Sequence, residues 1–127
     1  MKFARLVFLL AGIWGFLILT PLFFMEAEIA RQTQPITHPE YYYAFLGVAI
    51  SWQVLFLLLS RNPAQYRLMI IPAILEKFSF APATFILHQL GRTPASTAAV
   101  SGIDLIWAVL FIIAFFKTAS PEQSESK

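Results

Sequence analysis

The stretch LMIIPAILEKFSFAPATFILHQL, residues 68–90, decides the fold, because its 23 residues carry only two full charges, Glu76 and Lys77. An apolar run of about 20 residues is the length that an α-helix needs to cross the hydrocarbon of a bilayer. Three further runs of this kind lie at residues 3–25, 41–60 and 98–116. The sequence therefore predicts four transmembrane helices.

The composition of the whole chain agrees with this prediction. Of the 127 residues, 58% are hydrophobic and 13% are charged, whereas about a quarter of the residues in a soluble domain are charged. The apolar runs leave too few residues for a separate soluble domain. We therefore expect one all-α domain, an integral membrane four-helix bundle over residues 1–118, with a disordered polar tail at 119–127. Cysteine is absent, which excludes disulfides and thiolate chemistry.

Local signals refine the expected helix boundaries to about 3–25, 39–60, 63–90 and 94–117. These signals place a capping residue before a proline or a glutamate, at Thr37-His-Pro-Glu40, Asn62-Pro63 and Thr93-Pro94. Gly91 can end the third helix in the left-handed conformation. Pro72 and Pro82 lie inside the third helix and each removes a backbone donor. We therefore expect the third helix to be kinked.

The basic residues set the predicted orientation. Six of the nine Lys and Arg residues fall in the N-terminal segment, the second connection and the C-terminal segment, and two fall in the other connections. By the positive-inside rule this distribution places both termini in the cytoplasm. We expect a multi-pass protein of the bacterial inner (cytoplasmic) membrane. A net charge of +2 is too small to suggest a nucleic-acid partner.

Ionisable and polar side chains lie inside the apolar runs. Glu76 and Lys77 fall near the middle of the third helix, and Asp104 and Gln53 lie at comparable depths in the fourth and second helices. Because adjacent residues point about 100° apart around a helix, Glu76 and Lys77 are expected to find partners on other helices. Lys77 is expected to pair with Asp104. Glu76 is expected to accept a hydrogen bond from the Gln53 amide.

Polar stripes extend from these residues along two helices. Thr84 and His88 lie on the same face of the third helix as Lys77, and Ser101 lies on the same face of the fourth helix as Asp104. Two such stripes on sequential helices predict either direct packing or a cavity between them.

A charge at the centre of a membrane helix costs about 2.5–3.5 kcal/mol on insertion scales, so intramembrane ionisable residues mark functional sites by default. The alternative is a buried polar network that only fixes the helix register. Trp52 and Trp107 lie in the same spans and could wall a cavity or fill the core. The candidate residues of a ligand pocket are Gln53, Glu76, Lys77, Thr84, His88, Asp104, Trp52 and Trp107.

Carboxylates and imidazoles also lie near the helix ends that are predicted to face away from the cytoplasm, at Glu26, Glu28, His38, Glu40 and His88. Their spacing does not put two ligands on one helical face, so we expect no metal site, and nothing in the sequence calls for a cofactor. Hydrolase, phosphate-binding and zinc-protease motifs are absent from the sequence. Whether the chain is an enzyme stays open, since Glu76, Asp104 or His88 could perform isomerase-type acid/base chemistry.

The first helix carries no charged residue from 6 to 25 and contains the small pair Ala11 and Gly15, which predicts close helix packing. The sequence does not decide whether this pair meets a helix of the same chain or a second copy in a homodimer.

The layout of four short helices, a long first connection and polar groups in the later helices resembles that of the DoxX-like small membrane proteins of bacteria. This resemblance covers residues 3–117 as topology and implies a component that accompanies membrane redox enzymes. The stretch Ile71-Pro-Ala-Ile-Leu75, with Gln53 in the preceding helix, is similar to the EXPERA group, which binds or isomerises sterols inside a helical bundle. Glu76 and Lys77 depart from the polar residues expected next in that group, so its catalytic roles are not carried over.

Three functions follow as hypotheses. The first is an intramembrane polar pocket that binds a lipid, a sterol-like or a quinone-like molecule, which predicts a co-purifying apolar ligand. The second is a non-catalytic accessory or structural subunit of a membrane redox complex, which predicts a stable partner protein. The third is a small proton-coupled exporter, ranked last because the first helix lacks a carboxylate and the charge bias fixes one orientation.

Overall fold

The computed structural model describes residues 2–32 and 35–118. These residues form five α-helices and no strand: α1 (Lys2–Leu19), α2 (Glu26–Gln32), α3 (Pro39–Arg61), α4 (Ile70–Gln89) and α5 (Ala95–Lys117). A 3₁₀ turn at Thr20–Phe24 prolongs α1, and another at Arg67–Met69 leads into α4. The all-α prediction is confirmed, and α2 is an additional short helix in what the sequence analysis treats as a connection. The tail predicted to be disordered, 119–127, lies outside the described residues.

Four helical segments of 23 residues each are long and apolar enough to cross a membrane: Lys2–Phe24, Pro39–Arg61, Arg67–Gln89 and Ala95–Lys117. Their mean hydropathies are 2.3, 1.9, 1.5 and 2.3. Large apolar side chains such as Leu17, Leu75 and Ile106 are more than 60% exposed, at 67%, 63% and 62%. Such an outward-facing apolar surface suits lipid rather than water. The four predicted spans are thus confirmed as helices, and they suggest a multi-pass membrane protein.

The α3 helix begins at Pro39, the predicted residue, but without the predicted cap, and the third span does not begin at the predicted residue 63. The capping box at residues 37–40 is not formed: His38 is the residue that precedes α3, its side chain makes no capping hydrogen bond, and its ring lies 3.2 Å from Glu40. The contact with His38 occupies the carboxylate that a capping box would use. Asn62 does not start the third span. Its side-chain oxygen accepts a hydrogen bond from the backbone N–H of Gln65 at 3.3 Å and closes a separate turn. Helical structure resumes only at Arg67.

The other end of α4 follows its sequence signals more closely. Gly91 has φ +74°, and the Arg92 amide donates to the Leu87 carbonyl at 2.8 Å, so the predicted left-handed helix end is confirmed. The helix runs through Pro82, and Pro72 lies in its first turn, where a missing N–H breaks no helical hydrogen bond. The kink therefore stays a prediction.

The helices pack as two antiparallel hairpins. Helix α1 packs mainly on α3, and α4 packs mainly on α5, whereas the hairpins touch each other chiefly through α1 and α5 and only sparsely through α3 and α4. The short connection between α4 and α5 brings these two helices side by side.

An aromatic core joins the two hairpins at the end of the bundle that holds Lys2 and Lys117. The rings of Phe8 and Phe111 have centroids 4.6 Å apart, and those of Phe56 and Phe111 are 5.1 Å apart. The buried cluster around them consists of Ala4, Val7, Phe8, Ala11, Phe56, Leu59, Ile70, Ala73, Phe111 and Ala114. We call this end of the bundle the core end and the other the loop end. The hairpins are therefore fastened together mainly at the core end.

The small residues of α1 are used within the chain. Ala11 is fully buried, and a Cβ atom added at Gly12 would lie 2.7 Å from Leu57 of α3. A Cβ added at Gly15 would overlap the side chain of Gln53, also on α3. The Ala11 and Gly15 face therefore meets α3 of the same chain. A homodimer stays a prediction, and it would have to use another face.

Arg67 fastens the end of α5 to the start of the second hairpin. Its Nε donates to the carbonyls of Thr118, at 2.5 Å, and Phe115, at 3.3 Å, and its guanidinium lies 3.8 Å from the centre of the Phe115 ring. These carbonyls lie at the end of α5, where backbone carbonyls lack the full set of partners found inside a helix.

We expect Arg67→Ala to lower the free energy of unfolding by about 1–3 kcal/mol, the range for charged hydrogen bonds together with a cation–π contact. Equilibrium unfolding in mixed micelles measures this change. The matched control is Arg61→Ala, because Arg61 is an exposed arginine of the same connection. Equal effects of the two substitutions would contradict the role given to Arg67.

Candidate functional site

Lys77 is a buried lysine halfway along α4. It is 4% exposed and lies on the buried face of the helix with Ala73, Ala81 and Thr84. Its Nζ lies 3.7 Å from Asp104 Oδ1 on α5 and 5.3 Å from the centre of the Phe56 ring on α3. The predicted pairing of Lys77 with Asp104 is confirmed. The ammonium group thus reaches three helices, since its flexible four-carbon stem carries the charge away from its own backbone.

Two predictions about Glu76 are wrong. Its Oε2 lies 3.9 Å from Lys77 Nζ, so these neighbours in sequence do share an ion pair. The lysine side chain is long and flexible, so it can bring its ammonium group close to Glu76 although the two residues point about 100° apart around the helix. Gln53 is not a partner of Glu76, because its Nε2 donates to the Ala49 carbonyl at 2.9 Å. The Gln53 side chain fills the space that Gly15 leaves between α1 and α3.

The contacts inside the cluster of Glu76, Lys77 and Asp104 are ion pairs and not hydrogen bonds. Distances of 3.7 and 3.9 Å exceed the hydrogen-bonding range of about 2.7–3.2 Å. Glu76 Oε2 is buried and finds no hydrogen-bond partner among the described residues. The side chains of Glu76 and Asp104 retain 21% and 25% exposure. The cluster is therefore closed on the lysine side and partly open on the carboxylate side.

The polar stripes of α4 and α5 touch directly beyond this cluster. Thr84 Oγ1 donates to Ser101 Oγ at 2.5 Å, and Ser101 donates in turn to the Ala98 carbonyl at 2.7 Å. Thr84 and Ser101 are buried, with exposures of 4% and 0%. Of the two outcomes that the sequence allows, direct packing is the one realised at this level of the hairpin.

We expect Thr84→Val to lower the free energy of unfolding by about 0.6–1.7 kcal/mol, the range measured for hydrogen bonds between membrane helices. The substitution keeps the shape of the side chain and removes the hydroxyl donor. A double-mutant cycle with Ser101→Ala measures the coupling between the two hydroxyl groups. Strictly additive effects would show that the bond contributes nothing to stability.

The remaining predicted pocket residues lie apart from the charges. His88 is exposed at the end of α4, with its Nδ1 3.0 Å from the Thr93 carbonyl oxygen. Trp52 and Trp107 pack against the core, where their rings lie 6.5 Å from Phe56 and 6.4 Å from Phe111. The two tryptophans therefore pack at the edge of the aromatic core, and His88 contacts the turn between α4 and α5.

The faces that build the core continue uncovered toward the loop end. At steps of three or four residues, each helix repeats the same face: Phe56, Trp52 and Val48 on α3; Ala73, Glu76 and Phe80 on α4; Phe111, Trp107, Asp104 and Val100 on α5. Val48, Phe80 and Val100 are 60%, 38% and 57% exposed. We call these continuing faces the inter-hairpin faces. Glu76 and Asp104 lie where they begin.

Two shallow depressions lie on the surface, each within one hairpin. One, of about 220 Å³, lies between α4 and α5 and is lined by Phe80, Ser96, Thr97 and Val100. The other, of about 280 Å³, lies on α3 and is lined by Val48, Ser51, Trp52 and Leu55. Apart from Trp52, none of these residues is among the pocket candidates predicted from the sequence. Val48 and Val100 could have been found from their helical spacing to the core residues Phe56 and Phe111.

The acidic and imidazole residues at the loop end do not converge. Glu26 accepts a hydrogen bond from the Tyr43 hydroxyl at 2.9 Å, Glu28 pairs with Arg31, and His38 contacts Glu40. Over residues 2–32 and 35–118, no group of three or more His, Cys, Asp or Glu side chains could hold a metal ion. The bond between Tyr43 and Glu26 joins α3 to α2, and the other two contacts are local.

No protein-family model matches the chain, and no curated protein or solved structure matches it either. The class of the molecule is therefore defined by its own features: an all-α chain with four helices long and apolar enough to span a membrane and a charged cluster halfway along two of them.

Proposed function

We propose that this chain is a multi-pass membrane protein that binds an apolar small molecule of the bilayer at the Glu76, Lys77 and Asp104 cluster. The lipid, sterol-like and quinone-like molecules are the classes that suit such a site. The observation that carries the proposal is that two carboxylates on a buried lysine remain partly exposed at the start of the inter-hairpin faces. This partial exposure leaves the two carboxylates within reach of a molecule that enters along these faces, whereas the lysine is closed off.

The cost of the cluster supports a functional role. Charged groups at the centre of a membrane are expensive and lie where they pair, bind ligands or carry protons. The ion pairs of this cluster are longer than hydrogen bonds, so they offset less of the cost of burying the charges than charge-assisted hydrogen bonds would. The apolar inter-hairpin faces beside the cluster suit the rest of an apolar ligand, since ligand sites combine a mostly apolar lining with a few placed polar groups.

The membrane setting is part of the proposal. The basic residues at both termini and in the connection between α3 and α4 support an orientation with the core end in the cytoplasm. In this orientation the inter-hairpin faces open toward the outer leaflet. Pro82, inside α4 above the cluster, supports a local bend that would widen this opening. The bacterial inner membrane is the proposed location.

Native mass spectrometry of the protein purified from its membrane in mild detergent tests the function. We expect an adduct of lipid-like mass on the wild-type protein. The adduct should be lost or reduced at least about tenfold in Glu76→Gln and in Asp104→Asn, since a hydrogen bond to a charged group is worth about 1.5–3 kcal/mol.

The matched control is Glu40→Gln, which neutralises an exposed carboxylate at the loop end without touching the cluster. It should keep the adduct. Absence of any adduct from the wild type, or an adduct that all three substitutions leave unchanged, would refute binding at this cluster.

A second candidate function is that of a non-catalytic subunit of a membrane complex. The direct bond between Thr84 and Ser101 favours it, because this part of the polar stripe acts only in packing. The test is cross-linking in native membranes followed by purification. A stable heteromeric complex without an apolar adduct would support this function over ligand binding.

A further inference from the structure

The charged cluster leaves two complementary hydrogen-bonding groups without partners, and we call the space between Lys77 Nζ and Glu76 Oε2, which are 3.9 Å apart, the gap. Glu76 Oε2 is a buried acceptor that receives no hydrogen bond from the described residues. Lys77, 4% exposed, carries three donors, and the nearest carboxylate oxygens lie 3.7 and 3.9 Å from its Nζ. A buried polar group without a partner is costly, so each of these groups calls for a further atom.

One oxygen atom could satisfy both groups. Lys77 Nζ and Glu76 Oε2 are 3.9 Å apart. For an oxygen placed about 2.8 Å from each of them, the angle between its two hydrogen-bond directions would be about 90°, which a hydroxyl group can accommodate. The hydroxyl oxygen would accept from the ammonium, and the hydroxyl hydrogen would be donated to the carboxylate.

Other polar groups fit this gap less well. An ether or quinone oxygen accepts from Lys77 but has no proton for Glu76. An ammonium group donates to Glu76 and is attracted by the two carboxylates, but it accepts nothing and therefore leaves the donors of Lys77 without a partner. A carboxylate or phosphate accepts from Lys77 but is repelled by Glu76 and Asp104.

We propose that the ligand is an alcohol, whose hydroxyl bridges Lys77 Nζ and Glu76 Oε2 while its apolar body lies along the inter-hairpin faces. The inference rests on the proposed function, because it specifies the polar group of that ligand. The body of the molecule would contact Phe80 and Val100, which are exposed next to the cluster.

The test measures binding of tritiated hexadecan-1-ol to the protein in phosphatidylcholine nanodiscs, with empty nanodiscs as the blank. Unlabelled competitors of the same chain length differ only in the polar group: hexadecan-1-ol, hexadecyl methyl ether, hexadecylamine and hexadecane. We expect saturable binding, with the ether, amine and alkane each competing at least about tenfold more weakly than the alcohol, because each loses a charge-assisted hydrogen bond. This comparison uses only the wild-type protein.

A protein substitution tests the same contact from the other side. Glu76→Leu should weaken alcohol binding about tenfold and should reduce the preference for alcohol over ether, while Glu40→Leu should leave both unchanged. Loss of the preference, not only of affinity, distinguishes the contact from a general disturbance of the fold.

The outcomes separate this inference from the proposed function. Saturable binding in which the ether competes as well as the alcohol, or the amine competes better, overturns the hydroxyl bridge and leaves an apolar-ligand site in place. The absence of saturable alcohol binding, as expected if water alone fills the gap, overturns the inference. The co-purified adduct then decides the proposed function separately.

Discussion

Replacing Lys77 by methionine is expected to lower the free energy of unfolding by about 3–5 kcal/mol, the cost of removing one partner from a buried ion pair. The substitution keeps the volume of the stem but leaves Glu76 and Asp104 facing one gap without a cation. Equilibrium unfolding in mixed micelles or in bicelles measures the effect. We expect this to be the largest loss among the polar substitutions of the chain.

Two further variants identify the cause of that loss. The matched control, Lys2→Met, removes an exposed lysine at the core end and should change the unfolding free energy by less than about 1 kcal/mol. Adding Glu76→Leu and Asp104→Leu to Lys77→Met should restore most of the stability, since apolar groups can replace a buried ion cluster at little or no cost. A triple variant as unstable as the single one would mean that packing, and not the unpaired carboxylates, causes the loss.

Replacing Gly15 by alanine is expected to lower the free energy of unfolding by about 1–3 kcal/mol, the usual cost of adding a methyl group to a packed interface. The new methyl group would overlap the buried side chain of Gln53, which is 1% exposed and has little room to move. The effect should appear despite the higher helix propensity of alanine, which by itself favours the substituted helix by about 1 kcal/mol.

The chain offers a matched control in Gly47, a helical glycine of α3 around which an added methyl group would meet nothing within 4 Å. Gly47→Ala should be neutral or slightly stabilising. Shortening the opposing side chain in the double variant Gly15→Ala with Gln53→Ala should recover part of the lost stability. Equal unfolding free energies for the two single glycine variants would contradict the close contact between α1 and α3.

Hydropathy and helix geometry suffice to predict the main features of the fold. A long apolar run leaves the backbone no alternative to helix in a bilayer, so the four spans can be predicted from the residues alone. Depth along a helix is also calculable, and for this reason the pairing of Lys77 with Asp104 could be predicted before the packing was known. The end of α4 at Gly91 follows from a single residue type.

Details that depend on which helices are neighbours could not be predicted. Gln53 lies at the depth of Glu76, but it is directed to Gly15 because α3 packs on α1 and touches α4 only sparsely. The start of the third span at Arg67 follows a separate turn closed by Asn62, and the side chain of Glu40 contacts His38 and not a capping residue. Val48, Phe80 and Val100 of the inter-hairpin faces are apolar like most residues of the spans, so they can be recognised only after the core is located at one end.

The division into two hairpins has a consequence for biosynthesis in the proposed membrane setting. The first hairpin, α1 with α3, is complete before the second emerges from the ribosome, and its contacts between Gly15 and Gln53 need no residue of α4 or α5. The second hairpin brings both Lys77 and the two carboxylates that pair with it, so the ion pairs of the cluster can form without any residue of the first hairpin. Two chains divided between Asn62 and Arg67 should consequently insert independently and reassemble when they are co-expressed.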